Sequence, residues 1–124
     1  MKLKKISLIS SFIFLTFIFV SCNDVAKNNV VKKIATTDGE YTAVAFIRDA
    51  GATTPFSPQV SILKKGEKFG DSNIGNVFIG NKSKDIDIKW EDSKSLIISL
   101  KGYEKIKEEN KFEYITIKYI NIED

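Results

Sequence analysis

Asp85 to Trp90 reads D-I-D-I-K-W, with Ile86, Ile88 and Trp90 on one parity and Asp87 and Lys89 on the other. Strict alternation of this kind marks a strand buried on one face, and it is incompatible with a helix of 3.6-residue period. The same grammar recurs along the chain. Tyr41 to Arg48 (Y-T-A-V-A-F-I-R) is apolar at both parities, which predicts a strand covered on both faces. Pro58 to Lys65 predicts another, leaving through a turn at Lys64-Lys65-Gly66-Glu67, followed by short segments at Asn76 to Gly80 and Ser95 to Leu100 and a long one at Phe112 to Ile122. Clusters of Gly, Asn, Asp and Ser separate them. Only Tyr103 to Asn110 leaves room for a helical turn, and the charged run Glu104 to Lys111 reads as a solvated connection. The expected fold is all-β, a small antiparallel sheet or β-sandwich of about 6–8 strands. Its core is expected to draw on Val44, Phe46, Val60, Ile62, Val77, Phe78, Ile88, Trp90, Leu96, Ile98, Ile115 and Ile117.

Two turns carry specific chemistry. Ile34 to Val44 and Ile88 to Ile98 both run strand, acidic turn, strand, with Asp38-Gly39 and Asp92-Ser93 at the turns. Glycine accepts positive φ and aspartate bonds nearby backbone amides, so each pair predicts a hairpin. Two such units cannot close a propeller, and small β proteins repeat this chemistry without being repeats.

The N-terminus is of another kind. A basic start, M-K-L-K-K, leads into the apolar stretch Ile6 to Val20 and then Phe19-Val20-Ser21-Cys22. The stretch is shorter than the roughly 20 residues that a spanning helix requires, which favours an export signal. The last four residues resemble the lipobox of bacterial lipoproteins, with Phe19 where leucine is usual. That resemblance implies a diacylglyceryl group on Cys22. The expected division is a signal peptide over 1–21, the lipidated cysteine and a tether over 22–31, and a single β domain over 32–124. A tether of residues 23–31 would reach roughly 30 Å at about 3.3 Å per residue. Without Lys2, Lys4 and Lys5 the remaining chain holds 16 basic and 16 acidic residues. This balance speaks against nucleic-acid binding, which needs a basic surplus. The expected location is a bacterial membrane, lipid-anchored on the extracytoplasmic side.

No histidine occurs and Cys22 is the sole cysteine, which removes disulfides, histidine-based triads and thiol nucleophiles from the domain. D-I-D-I-K-W lacks the order of a calcium loop, and G-E-K-F-G-D-S-N-I-G-N that of a phosphate loop, so no metal or other cofactor is expected. The most informative segment joins two strands: Arg48-Asp49-Ala50-Gly51-Ala52-Thr53-Thr54-Pro55-Phe56-Ser57-Pro58. It holds the chain's only arginine, against 18 lysines. Arg48, Asp49, Thr53, Thr54 and Ser57 form the candidate binding loop, with Arg48 suited to clamp a carboxylate or phosphate. A second reading has Arg48 locking its own loop through Asp49 or backbone carbonyls.

D-G-E-Y-T-A-V-A-F-I-R-D-A-G-A-T-T (Asp38 to Thr54), Q-V-S-I-L (Gln59 to Leu63), G-N-V-F-I (Gly75 to Ile79) and W-E-D-S-K-S-L-I-I (Trp90 to Ile98) resemble a family of small, uncharacterised bacterial lipoproteins. The resemblance implies a shared β fold and loop, and no activity. The expected function is a non-enzymatic binding or structural module, held to the membrane by its N-terminal lipid and facing a protein or cell-wall partner. The alternative is a hydrolase acting on envelope material through carboxylates such as Asp38, Asp71, Asp85, Asp87 and Asp92.

Overall fold

The computed structural model describes residues 26–51 and 55–122, and these contain no helix. Nine strands are present among the described residues: β1 (Lys27–Ala35), β2 (Tyr41–Asp49), β3 (Ser57–Lys64), β4 (Phe78–Asn81), β5 (Ile86–Asp92), β6 (Ser95–Leu100), β7 (Glu104–Glu108), β8 (Lys111–Phe112) and β9 (Ile115–Asn121). They form a five-stranded sheet in the order β1-β2-β3-β4-β7 and a four-stranded sheet in the order β5-β6-β9-β8. The two are packed face to face as a sandwich. Ala43, Ala45, Ile47, Val60, Ile62 and Phe78 of the larger sheet meet Ile86, Ile88, Leu96, Ile98, Ile115 and Ile117 of the smaller in one buried core. Trp90 is half-buried against this core, and its indole N–H donates to the Ile34 carbonyl (2.9 Å), tying β5 to β1 across the two layers.

Both acidic hairpins form as the sequence predicts. Thr36 N–H donates to Tyr41 O (2.8 Å), Asp38 Oδ1 accepts from Glu40 N–H (3.1 Å) and from the Thr36 hydroxyl (2.6 Å), and Gly39 takes φ +74°. The Thr36 hydroxyl and the Glu40 amide hold the Asp38 carboxyl below its ordinary pKa. Asp92 repeats the device by accepting from Lys94 N–H (2.8 Å).

The all-β sandwich is the expected class, and its details differ from the sequence reading in four places. Lys27 to Val31, read as tether, are the first half of β1, paired from Lys27↔Asp49 to Ala35↔Thr42 with a bulge between Val30 and Lys32. An edge strand with polar residues on both parities carries no core periodicity, so nothing in its sequence announces it. Glu104 to Glu108, read as connection or helical turn, is β7, the opposite edge of the same sheet, and it escapes notice for the same reason. Phe112 to Ile122 is broken by a tight hairpin: Phe112 pairs with Ile115, and Glu113 turns the chain at φ +52°. These added and divided segments bring the strands to nine. Finally, β6 and β9 are parallel, Ser95↔Thr116 to Leu100↔Asn121, because β7 carries the chain across to the larger sheet before it returns.

The Glu113 turn is pinned to the larger sheet. Lys64 Nζ lies 2.8 Å from Glu113 Oε1, and the Tyr41 hydroxyl donates to Oε2 (2.9 Å). Lys64 first and Tyr41 second depress the Glu113 pKa, while bonding to Glu113 raises those of Lys64 and Tyr41. A depressed carboxyl stabilises the fold above the ordinary glutamate range and loses that contribution as pH falls through its folded-state pKa; the raised Lys64 and Tyr41 lose theirs as pH rises through their own. Denaturant midpoints measured across pH should fall at both extremes, and Glu113→Gln should flatten the acid limb. An unchanged acid limb in Glu113→Gln would show the pin to be without effect.

Candidate functional site

The strand directions sort the turns into two ends. Lys27 pairs with Asp49, Arg48 with Ser57, Asn81 with Glu104, Ile86 with Leu100 and Leu100 with Asn121. The start of β1 therefore lies at the same end as the loop after β2 and the connections into β5 and β7. The turns at Asp38-Gly39, Gly66, Ser93-Lys94 and Glu113-Tyr114 lie at the other.

On the outer face of the larger sheet, a strap from Lys65 to Val77 folds back over β2 and β3. Phe69 stacks edge-on against Phe46 with ring centroids 4.9 Å apart, closing a second small core with Val44 and Leu63. This is why β2 is apolar at both parities. Side-chain amides fasten the strap. Gln59, nearly fully buried, accepts from Gly75 N–H (2.7 Å) and donates to Ser57 Oγ (3.0 Å). Asn76 pairs with Ile62 as a strand residue would, accepting from its N–H and donating to its carbonyl, both at 2.8 Å. Buried backbone groups are thus satisfied where no neighbouring strand reaches.

Arg48 belongs to this fastening. Its Nη1 donates to Asn28 Oδ1 (2.9 Å) and to the carbonyls of Asp71 (2.9 Å) and Asn73 (3.0 Å). Asn28 bonds the same turn through its Nδ2, to Gly70 O and Asn73 O (2.8 Å each), and its backbone N–H donates to Asp71 Oδ1 (3.0 Å). Among the described residues, Arg48 therefore holds β1 and the strap. Asp49 Oδ1 accepts from Gly51 N–H (3.1 Å), and the Ser57 hydroxyl donates to Gly80 O (2.6 Å). Thr53, Thr54 and Cys22 lie outside the described residues. The structure thus brings Arg48 and Ser57 to one surface and turns Asp49 to a local bond.

That surface contains a cleft of about 380 Å³, lined by Arg48, Ser57, Gln59 and Asn81 together with Pro55, Ile74, Ile79 and Ile106. Ile74 is 57% exposed and Ile106 61%. Sequence reasoning does not single out Asn28, Ile74, Ile79 or Ile106. Gly70-Asp71-Ser72-Asn73, a compact run of turn-forming residues, is the signal that an ordered strap needs partners. Among the carboxylates considered for hydrolysis, Asp85 and Asp87 line one shallow cleft together with Ser99 and Lys101. Asp38 and Asp92 serve turns at one end, Asp87 pairs with Lys32 (3.1 Å) on an exposed strand face, and Asp71 holds the strap.

No curated protein and no solved structure matches the chain significantly. Residues 1–116 match a family of unknown function, DUF5412, and with nearly the whole chain covered the protein belongs to that family.

Proposed function

We propose that this protein is a lipid-anchored module on the extracytoplasmic side of a bacterial membrane, and that it binds a protein or cell-wall partner through the outer face of its larger sheet. The observation that carries the binding role is the cleft beside Arg48. Ile74 on the strap and Ile106 on β7 stay more than half exposed across a cleft that also holds Ile79 and Pro55, and apolar groups gathered in a concave, polar-rimmed surface are the usual mark of a binding site. The anchoring role rests on the apolar stretch Ile6 to Val20 and on Cys22 after Ser21.

Both parts are testable in one strain. Metabolic acyl labelling should mark the wild-type chain and not Cys22→Ala; equal labelling removes the anchor. A photo-crosslinking residue at position 106 should give a product of defined mass in the native envelope, and an Ile79→Asp change in the cleft floor should abolish it. A product that survives Ile79→Asp, or none at all, removes the cleft as the binding face.

A further inference from the structure

The short reach from Cys22 into β1 fixes which end of the sandwich can meet the membrane. Cys22 stands five residues before Lys27, so the lipid and the first strand are at most about 17 Å apart at roughly 3.4 Å per residue. Lys27 begins its strand opposite Asp49. The end carrying Asp49, Ser57, Asn81 and Lys82 is therefore the one beside the anchor.

That end presents a rigid apolar corner. Phe56 is 40% exposed, follows Pro55, and lies under the Lys84 ammonium, 3.8 Å from the ring centroid. The backbone beneath is fixed: Lys82 N–H donates to Phe56 O (3.0 Å), the Ser83 hydroxyl to Lys101 O (2.6 Å) and Asp85 N–H to Ser83 Oγ (3.1 Å). The ring is thus held outward by an ordered framework. Pro55, Phe56, Lys82, Ser83 and Lys84 line one shallow cleft, with two lysines and no acid; Lys82 also meets Glu104 (3.2 Å). The cleft at the opposite end has two acids, Asp38 and Glu40, against Lys94, and so has the cleft on β5 at the near end, with Asp85 and Asp87 against Lys101, so the basic balance belongs to the Phe56 corner alone among these three. An aromatic side chain flanked by lysines matches the boundary of an anionic bilayer, where the ring enters the headgroup layer and the ammonium groups meet lipid phosphates.

We propose that the Pro55-Phe56 corner, with Lys82 and Lys84, rests on the anionic surface of the membrane that holds Cys22, so that the domain is oriented as well as tethered. The inference rests on the anchoring reading above. It sets the cleft beside Arg48, which shares Pro55 with the corner, next to the headgroups and turns the Asp38 and Glu113 turns away from the membrane.

The test uses the full chain carrying its lipid, reconstituted into vesicles of phosphatidylcholine and phosphatidylglycerol with brominated acyl chains, which quench tryptophan on contact. Phe56→Trp adds a reporter at the corner, and Tyr114→Trp adds one at the far end, where residue 114 is 83% exposed. Trp90 supplies the same background in both. The emission added at position 56 should be lost in brominated vesicles and that added at 114 retained. Lys84→Gln in the Phe56→Trp chain should restore part of the lost emission, as should omitting phosphatidylglycerol. A Phe56→Trp chain acylated on Cys22 whose added emission stays unquenched overturns the orientation alone and frees the corner for a protein partner. A chain without an acyl group that does not sediment with vesicles overturns the anchoring and the orientation together.

Discussion

Phe78→Ala should lower the unfolding free energy by about 3–5 kcal/mol, a large share of the roughly 5–15 kcal/mol available to a domain of this kind. Phe78 has no exposed surface and lies on β4, the strand joining β3 to β7. Its ring meets Tyr103 and Tyr119 at centroid distances of 5.6 and 5.8 Å. Tyr119 in turn donates to Glu109 O (2.6 Å) and Val77 O (3.3 Å), and burial pushes its phenol well above the ordinary tyrosine range. Losing the Phe78 ring therefore opens a cavity where the two sheets, β4 and the connection after β7 all meet. Urea unfolding read by circular dichroism measures the loss. Phe78→Leu, which keeps much of the volume, should cost visibly less. Equal costs for the two would mean that the ring contacts, rather than the cavity, dominate.

Gly75→Ala should release the strap while leaving the sandwich folded. A Cβ at this position would land on the carbonyl oxygen of Phe78 and come within 3.1 Å of both Gln59 Cβ and Val60 O. Two of these neighbours are backbone and cannot swing aside, so the cost should reach at least the roughly 1–3 kcal/mol seen for overpacking. Relief requires Gly75 to move, which breaks its bond to Gln59 and lifts Phe69 from Phe46. Hydrogen exchange should then quicken at the Ile62 and Gly75 amides while the β5 and β6 amides stay protected, and a dye that reports apolar surface should bind. Uniform acceleration across both sheets would show that the strap and the sandwich unfold as one unit.

Legibility in the sequence follows burial. The bounds of β6 at Ser95 and Leu100 can be read directly because its apolar run is closed by turn residues on both sides, and β2 is readable because both its faces meet apolar partners. β1 and β7 stay hidden because an edge strand with little buried surface needs no apolar rhythm, only a neighbour to pair with. The β8–β9 turn is hidden because Glu113 adopts a positive φ that glycine or asparagine would have advertised. Arg48 stands out as the lone guanidinium in a lysine-rich chain, but its acceptors stand 20 to 25 residues away along the chain. Only the folded topology brings Asn28, Asp71 and Asn73 to it. The apolar cleft has no local signature at all, since Ile74, Ile79 and Ile106 come from a strap and two separate strands.

The crossing of the chain from β6 to β7 and back to β9 sets an order of assembly. The β1–β2 and β2–β3 hairpins can close from neighbouring residues alone, but the partner of β4 on its outer side and the second partner of β6 both come from residues after Gly102. Until then β4 and β6, interior strands of the finished sheets, stand as open edges in addition to those the fold keeps, and an open edge is a template for another chain. Pairings that wait for distant residues also fold slowly. A chain cut before β7 would thus carry two open edges more than the finished sandwich, and the arrival of the final strands is the step that covers them.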